Sequence, residues 1–243
     1  MTVPKVRLSR RTKQEFGQAG INEMCRHLYA VDCQTCGGSL GIQAPAVTVD
    51  DYGTHVQAQL HHEGCRQPRW IERRVIVDDL SLPSALTYQA LPLMLRYEVF
   101  PGLVPDLPVL LLNSGLEAVT LERGTEGWRV STVERYVGYG LHAAASGKSV
   151  PTVAGGLAVL RDAGRGLEPV LNACLDPLHE WDVPVQHYLA NAIIRQRGLV
   201  LLVTSAVNPG VVTAADVERP RLLALLDSGQ CAFGWLPLRD GAP

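Results

Sequence analysis

The sequence predicts an α+β fold, or an α/β one, in which an N-terminal helix and a stapled β-hairpin pack on a mixed-sheet domain. Three observations predict it. Short apolar runs alternate at period two in several places, the mark of half-buried strands. One segment, Val185–Gln196, carries Leu189, Ile193 and Ile194 at helical spacing, with Pro184 before it and Gly198 as a C-terminal stop. Finally, Cys33, Cys36, His61, His62 and Cys65 gather in the first third of the chain at a spacing that can converge on one point.

The elements follow in order. Residues 11–29 read as a helix interrupted near Gly17 and Gly20, with Ile21, Met24 and Leu28 forming its stripe. Tyr29–Asp32 leads as a strand into Cys33. Gly37, Gly38 and Gly41 permit the tight backbone that lets amides point at sulfur. Ala46–Asp50 is one strand, Asp51-Tyr52-Gly53 the turn, and His55–Leu60 the return strand that delivers His61, His62 and Cys65. Pro68 and Trp70 end the module. Beyond it, Val75–Val77, Ala85–Gln89 and Leu93–Val99 read as short strands or helix edges, and Pro101, Pro105 and Pro108 mark a loop. Val109–Asn113 is a buried strand. Glu117–Arg123 and Trp128–Tyr136 alternate around the Gly124–Gly127 turn as a hairpin. Leu157–Ala163 and Leu167–Leu178 read as helices, Leu199–Thr204 as a buried strand, Ala214–Leu226 as a helix and Cys231–Leu236 as a final strand. The change of character near residue 75 divides the chain into 1–74 and 75–243.

With 47% apolar residues over 243 positions, the chain can bury a core and is not disordered. A net charge of −2 excludes a basic field over the whole molecule. The charge is uneven, however. Residues 1–75 hold 10 Lys and Arg against 7 Asp and Glu, whereas the remainder holds 12 against 17. Arg10 and Arg11, together with Arg66, Arg69, Arg73 and Arg74, form a basic rim that suits phosphate or an acidic protein partner. The polar start carries no secretory pattern, and the longest apolar runs fall far below the ~18 residues of a membrane span. A cytoplasmic, reducing location is therefore expected, in which thiols bind metal rather than each other. Cys174 and Cys231 lie in apolar surroundings and read as small buried hydrophobes, while Cys25 lies in the first helix.

Zn²⁺ takes four nitrogen or sulfur ligands at tetrahedral corners. Cys33, Cys36 and Cys65 supply three. The spacing His62-x2-Cys65 copies that of the first pair and favours His62 as the fourth, with His61 the alternative. Neighbouring residues on a strand face opposite ways, so only one of the two reaches the metal. Cys25 or His27 can substitute only if the helix folds back. Residues 31–70 resemble a zinc ribbon or zinc-knuckle hairpin. The resemblance implies a structural Zn²⁺ between two knuckles; it implies no one activity, because such modules serve in nucleic-acid machinery, in enzymes and as folding staples.

Other chemistry is thin. The His62-Glu63 neighbourhood shares a His-x-Glu triplet with zinc deaminases, but their cysteine pair lies downstream and here it lies upstream. Ser146–Ser149 lacks the first glycine of a phosphate loop. Asp176, His179 and Glu180 would share one face of a helix as an acid/base group, and Asn113 and Ser205 end buried strands. Three functions are thus expected in turn: a zinc-stapled binding or scaffolding protein with a basic N-terminal surface for nucleic acid or a protein partner; an enzyme with its site in 75–243 and a purely structural zinc; and a structural subunit of a larger assembly.

Overall fold

A computed structural model describes residues 5–28, 32–73, 90–96, 106–113, 118–143, 150–162, 167–176, 179–205 and 230–239. The fold is α+β with an N-terminal helix. Two compact units compose it: residues 1–88, 113–132 and 205–208 form the first, and 89–112, 133–204 and 209–243 the second.

Among the described residues, the first unit is one sheet under one helix. Helix α1 (Arg10–His27) begins at Ser9, whose hydroxyl accepts from the Thr12 amide at 3.0 Å. Its interior is broken at Gly17, where φ is 59° and ψ −176°. The break disturbs the helical hydrogen-bond ladder, and the Trp128 indole N–H donates to the Glu15 carbonyl at 2.9 Å there. Gly20 lets the helix settle against that indole, since a Cβ would stand 3.1 Å from it.

Beneath α1 the strand order is β3 (Arg69–Glu72), β1 (Ala46–Asp51), β2 (Val56–His61), β6 (Ala118–Gly124) and β7 (Gly127–Val130). β1 and β2 are antiparallel with Ala46 opposite His61 and Asp51 opposite Val56, as the alternation predicts. β3 runs parallel to β1. Trp70 therefore does not end the module but stands inside a strand, in edge contact with Phe16 at 5.4 Å. Period two sorts the sheet's faces. Val47, Val49, Val56, Ala58, Leu60, Val119 and Leu121 make a core with Phe16 and Met24. The opposite face carries Thr48, Asp50, Gln57, Gln59, His61 and Thr120, all buried and all polar. A single cut near residue 75 leaves out β6 and β7, which join this unit because β6 pairs with β2.

Among the described residues, the second unit holds two sheets. One has the order β11 (His179–Pro184), β10 (Val170–Asp176), β9 (Leu157–Arg161); the other β4 (Ala90–Arg96), β5 (Asp106–Asn113), β12 (Gly198–Thr204), β13 (Cys231–Pro237), β8 (His142–Ala143). Helices α2 (Thr132–Gly138) and α3 (His187–Gln196) complete it. Leu110, Leu171, Leu175, Trp181, Leu189, Ile193, Leu201 and Leu236 share its core.

The buried strands at Val109–Asn113, Leu199–Thr204 and Cys231–Leu236 are all present, and the helix expected from Val185 begins at His187. Four expectations need correction. Leu157–Arg161 and Val170–Asp176 are strands where helices were expected over Leu157–Ala163 and Leu167–Leu178. Leu171, Ala173 and Leu175 point into the core at period two, and β10 finds partners on both sides. The strand from Trp128 stops at Val130, and Thr132 opens α2 with Glu134 in its first turn. Pro108 lies within β5 rather than in a loop. Gly198 is not the helix stop: Arg197 takes the left-handed position at φ 57°, and Gly198 lets β12 pass close to Trp235, where a Cβ would stand 2.7 Å from the ring. The segments expected at 75–77, 85–89 and 214–226 lie outside the described residues.

Candidate metal centre

The β1–β2 hairpin has an open end, and two short turns meet there. The first spans Cys33 to Gly38. Its backbone is closed by Cys33 N–H to the Gly38 carbonyl at 2.9 Å and Gly37 N–H to the Cys33 carbonyl at 2.8 Å, and Asp32 bridges Ser39 across it. Gly37 sits at φ 70°, which a side chain would strain. The second turn follows β2: the Cys65 and Arg66 amides both donate to the His62 carbonyl at 3.0 Å. The Gln34 amide donates to the Leu60 carbonyl at 2.9 Å and ties the turns together.

This closure brings the sulfurs of Cys33, Cys36 and Cys65 and a ring nitrogen of His62 within 4.8 Å of one another. The four lie close enough to hold a metal ion. Nδ1 of His62 faces Cys36 Sγ at 3.4 Å and Cys65 Sγ at 3.8 Å. Tetrahedral Zn²⁺, with bonds of about 2.3 Å to sulfur and about 2.0 Å to nitrogen, needs sulfur–nitrogen edges of about 3.5 Å. The other His62 nitrogen, Nε2, donates to the Ser39 carbonyl at 2.9 Å, which leaves the lone pair on Nδ1, toward the sulfurs.

His61 takes no part in the cluster. It is buried and points to the sheet's polar face, with Nδ1 2.9 Å from the Thr35 hydroxyl and Nε2 2.9 Å from the Thr48 hydroxyl. Burial first, then the positive charges of Arg66 and Arg69, hold its pKa down to about 4, so the ring is neutral near pH 7. Strand alternation thus decides between the two histidines.

The sulfurs differ among themselves. Cys33 is buried, and burial opposes its thiolate. The amides of His62, Cys36 and Thr35 outweigh that and bring its pKa down to about 6. Two of these N–H groups stand 3.3 and 3.4 Å from its Sγ. Cys65 is exposed; hydrogen bonding with Cys36 and burial, together with the charge of its neighbours, push its thiol up to about 11. The Ser39 carbonyl and then the Cys36 sulfur raise the pKa of His62.

Neither Cys25 nor His27 joins the cluster. Cys25 is buried in the core under α1, with its thiol pushed up to about 11 by burial. His27 Nδ1 lies 3.1 Å from the Ser205 hydroxyl and 3.2 Å from its carbonyl. Cys231 is a buried hydrophobe, as its surroundings predict, with its thiol pushed up to about 12.

The basic rim is partly spoken for. Arg11 pairs with Glu72, and Arg73 donates to the Asp50 carboxylate at 2.9 Å. Arg7, not among the expected residues, pairs with Glu63 of the second turn. Arg10 and Arg69 are exposed and Arg66 half-buried; none of the three has an ion pair among the described residues. Arg74 lies outside them.

Asp176, His179 and Glu180 do not share a helix face. They stand on facing strands, Asp176 opposite His179 and Cys174 opposite Glu180. The Glu180 carboxylate accepts from the Asn172 amide, as does Asp182 at 2.9 Å. Asn172, Glu180 and Asp182 thus form a hydrogen-bonded cross-strand polar group.

Sequence reasoning missed the supporting residues Thr35, Ser39 and Thr48. The only available signal was a threonine between the paired cysteines. No protein-family model, no curated protein and no solved structure matches the chain.

Proposed function

We propose that Cys33, Cys36, His62 and Cys65 bind one Zn²⁺, that the ion is structural, and that the first unit is a zinc-stapled binding or scaffolding module. One observation carries this reading: four ligand atoms of a soft donor set converge on one point from two turns far apart in sequence. Three thiolates and an imidazole occupy all four tetrahedral corners and leave none for water or substrate, the pattern of a structural site. Two knuckles at the open end of a hairpin also agree with the zinc-ribbon resemblance. Thiolate ligands suit a reducing compartment. No helix among the described residues is long and apolar enough to cross a membrane.

The binding surface on this reading is the stretch after the second knuckle that carries Arg66 and Arg69, with the exposed Arg10 at the start of α1 as a further cation. So few cations without an ion pair suit a short acidic contact on nucleic acid or on a protein rather than a long phosphate track. The test is titration of the zinc-loaded chain with mixed-sequence RNA and DNA at two salt concentrations. Nucleic-acid binding should weaken with salt and fall in the Arg66→Ala/Arg69→Ala variant. No binding at low salt ends the nucleic-acid reading. The scaffold reading then requires a partner that co-purifies with the wild type and is lost from the same variant.

A further inference from the structure

The unused histidine has a definite place. His61 links the first knuckle to the sheet: its ring bridges Thr35, between the two cysteines of that knuckle, and Thr48, inside β1. Thr48 and His61 are among the most deeply buried polar residues of the first unit, at 0% and 1% exposure. A neutral imidazole has one N–H and one lone pair, so one threonine hydroxyl accepts from it and the other donates to it. Both bonds are 2.9 Å long and leave no ring nitrogen free for metal. Thr35 in turn aims its backbone N–H at Cys33 Sγ, 3.4 Å away. A continuous chain of contacts therefore runs from β1 through His61 to the sulfur of the most buried ligand.

We infer that the Thr48–His61–Thr35 chain is a positioning relay for the metal centre: it fixes the first knuckle in the geometry the metal requires, although His61 and Thr48 touch none of the four ligand atoms. The inference rests on the metal reading above. The relay also orients the second knuckle. With the His61 ring anchored on the sheet's inner polar face, strand alternation turns His62 the other way, and its amide reaches Cys33 Sγ at 3.3 Å. One histidine of the pair anchors and the other ligates. Outer partners of this kind commonly change metal affinity by about 10- to 100-fold.

The experiment measures Zn²⁺ affinity by competition with a chromophoric chelator, on the full chain, for Thr35→Val, Thr48→Val, His61→Ala and His61→Gln. Valine keeps the shape of threonine and removes the hydroxyl. Each valine variant should weaken zinc by about tenfold and His61→Ala by about 10- to 100-fold. The double valine variant should lose no more than His61→Ala, because both changes cut one chain. His61→Gln, which retains a donor and an acceptor, should recover part of the loss. Co²⁺ substitution should give a tetrahedral, three-thiolate spectrum in every variant, which shows that the ligand set is intact. Zinc affinity within twofold of wild type in folded Thr35→Val and Thr48→Val proteins overturns the relay. A wild-type chain that takes up no Zn²⁺ or Co²⁺ overturns the metal reading itself, so the two failures are told apart.

Discussion

The two ends of the β1–β2 hairpin are closed by different physics. At the turn end, the contacts that close the hairpin are local. Tyr52 N–H donates to the His55 carbonyl at 2.9 Å, the Asp51 carboxylate accepts from the Gly53 amide at 2.9 Å, and Gly53 takes φ 84°. The Tyr52 and His55 rings stack at 5.0 Å. At the open end, Cys36 and His62 meet across 26 residues of chain. Closing a long loop costs more entropy than closing a short one, and polar turn residues cannot supply that closure from afar. Thiolates sharing a cation can. The comparison teaches that the sheet's register is set by the turn, whereas, on the proposed reading, the geometry of the two knuckles is set by a metal ion and its supporting hydrogen bonds.

Changes at the two ends should therefore separate. The largest effect is expected from Cys33→Ser, which removes the most buried sulfur of the four ligands and the amide contacts it receives. Zinc affinity should fall more than 100-fold. In excess zinc, the variant should be less stable to urea than wild type by about 3 kcal/mol or more, the contribution of a ligand held at several hundred times its Kd. Chelation of the wild type should produce a similar loss. Hydrogen exchange locates it: amides at 33–38 and 62–66 should lose protection, and those of β12 should keep it. Equal loss in β12 would mean that the clasp is not local.

Proton coupling comes next in size. Zinc binds thiolates, and the Cys65 thiol, pushed up to about 11, is protonated near pH 7 in the metal-free chain. Binding must expel that proton. Apparent affinity should then rise about tenfold per pH unit for each proton released, and fall as the solution is acidified. A flat affinity between pH 6.5 and 8 would contradict this.

The smallest effect is expected at the turn. Gly53→Ala puts a side chain at positive φ with open space around the new methyl, so the cost is backbone strain of about 1 kcal/mol. Zinc affinity should stay within twofold of wild type. A tenfold loss of affinity from that substitution would break the distinction between the two ends.

How much of this was legible beforehand depends on the scale of the signal. The ligand spacing, the hairpin and the choice of His62 over His61 are local properties, written in a few adjacent residues. The strands β9 and β10 read as helices in the sequence because short leucine- and alanine-rich runs suit both periods, and pairing on both sides of β10 decides between them. The recruitment of β6 and β7 to the first sheet is a long-range pairing that no window along the chain contains. Gly198 was assigned the wrong task because the approach of Trp235 comes from a distant strand. The polar inner face of the first sheet, with the relay through His61, was likewise invisible: Thr35 and Thr48 become partners only once the knuckle folds back on β1.

Elemental analysis of the purified, desalted chain tests the central claim most directly. One zinc atom per wild-type chain, and none in Cys33→Ser or Cys65→Ser, is the predicted result. A folded wild-type protein that neither carries nor takes up a divalent metal, or a Cys65→Ser variant that holds zinc as well as wild type, would contradict it.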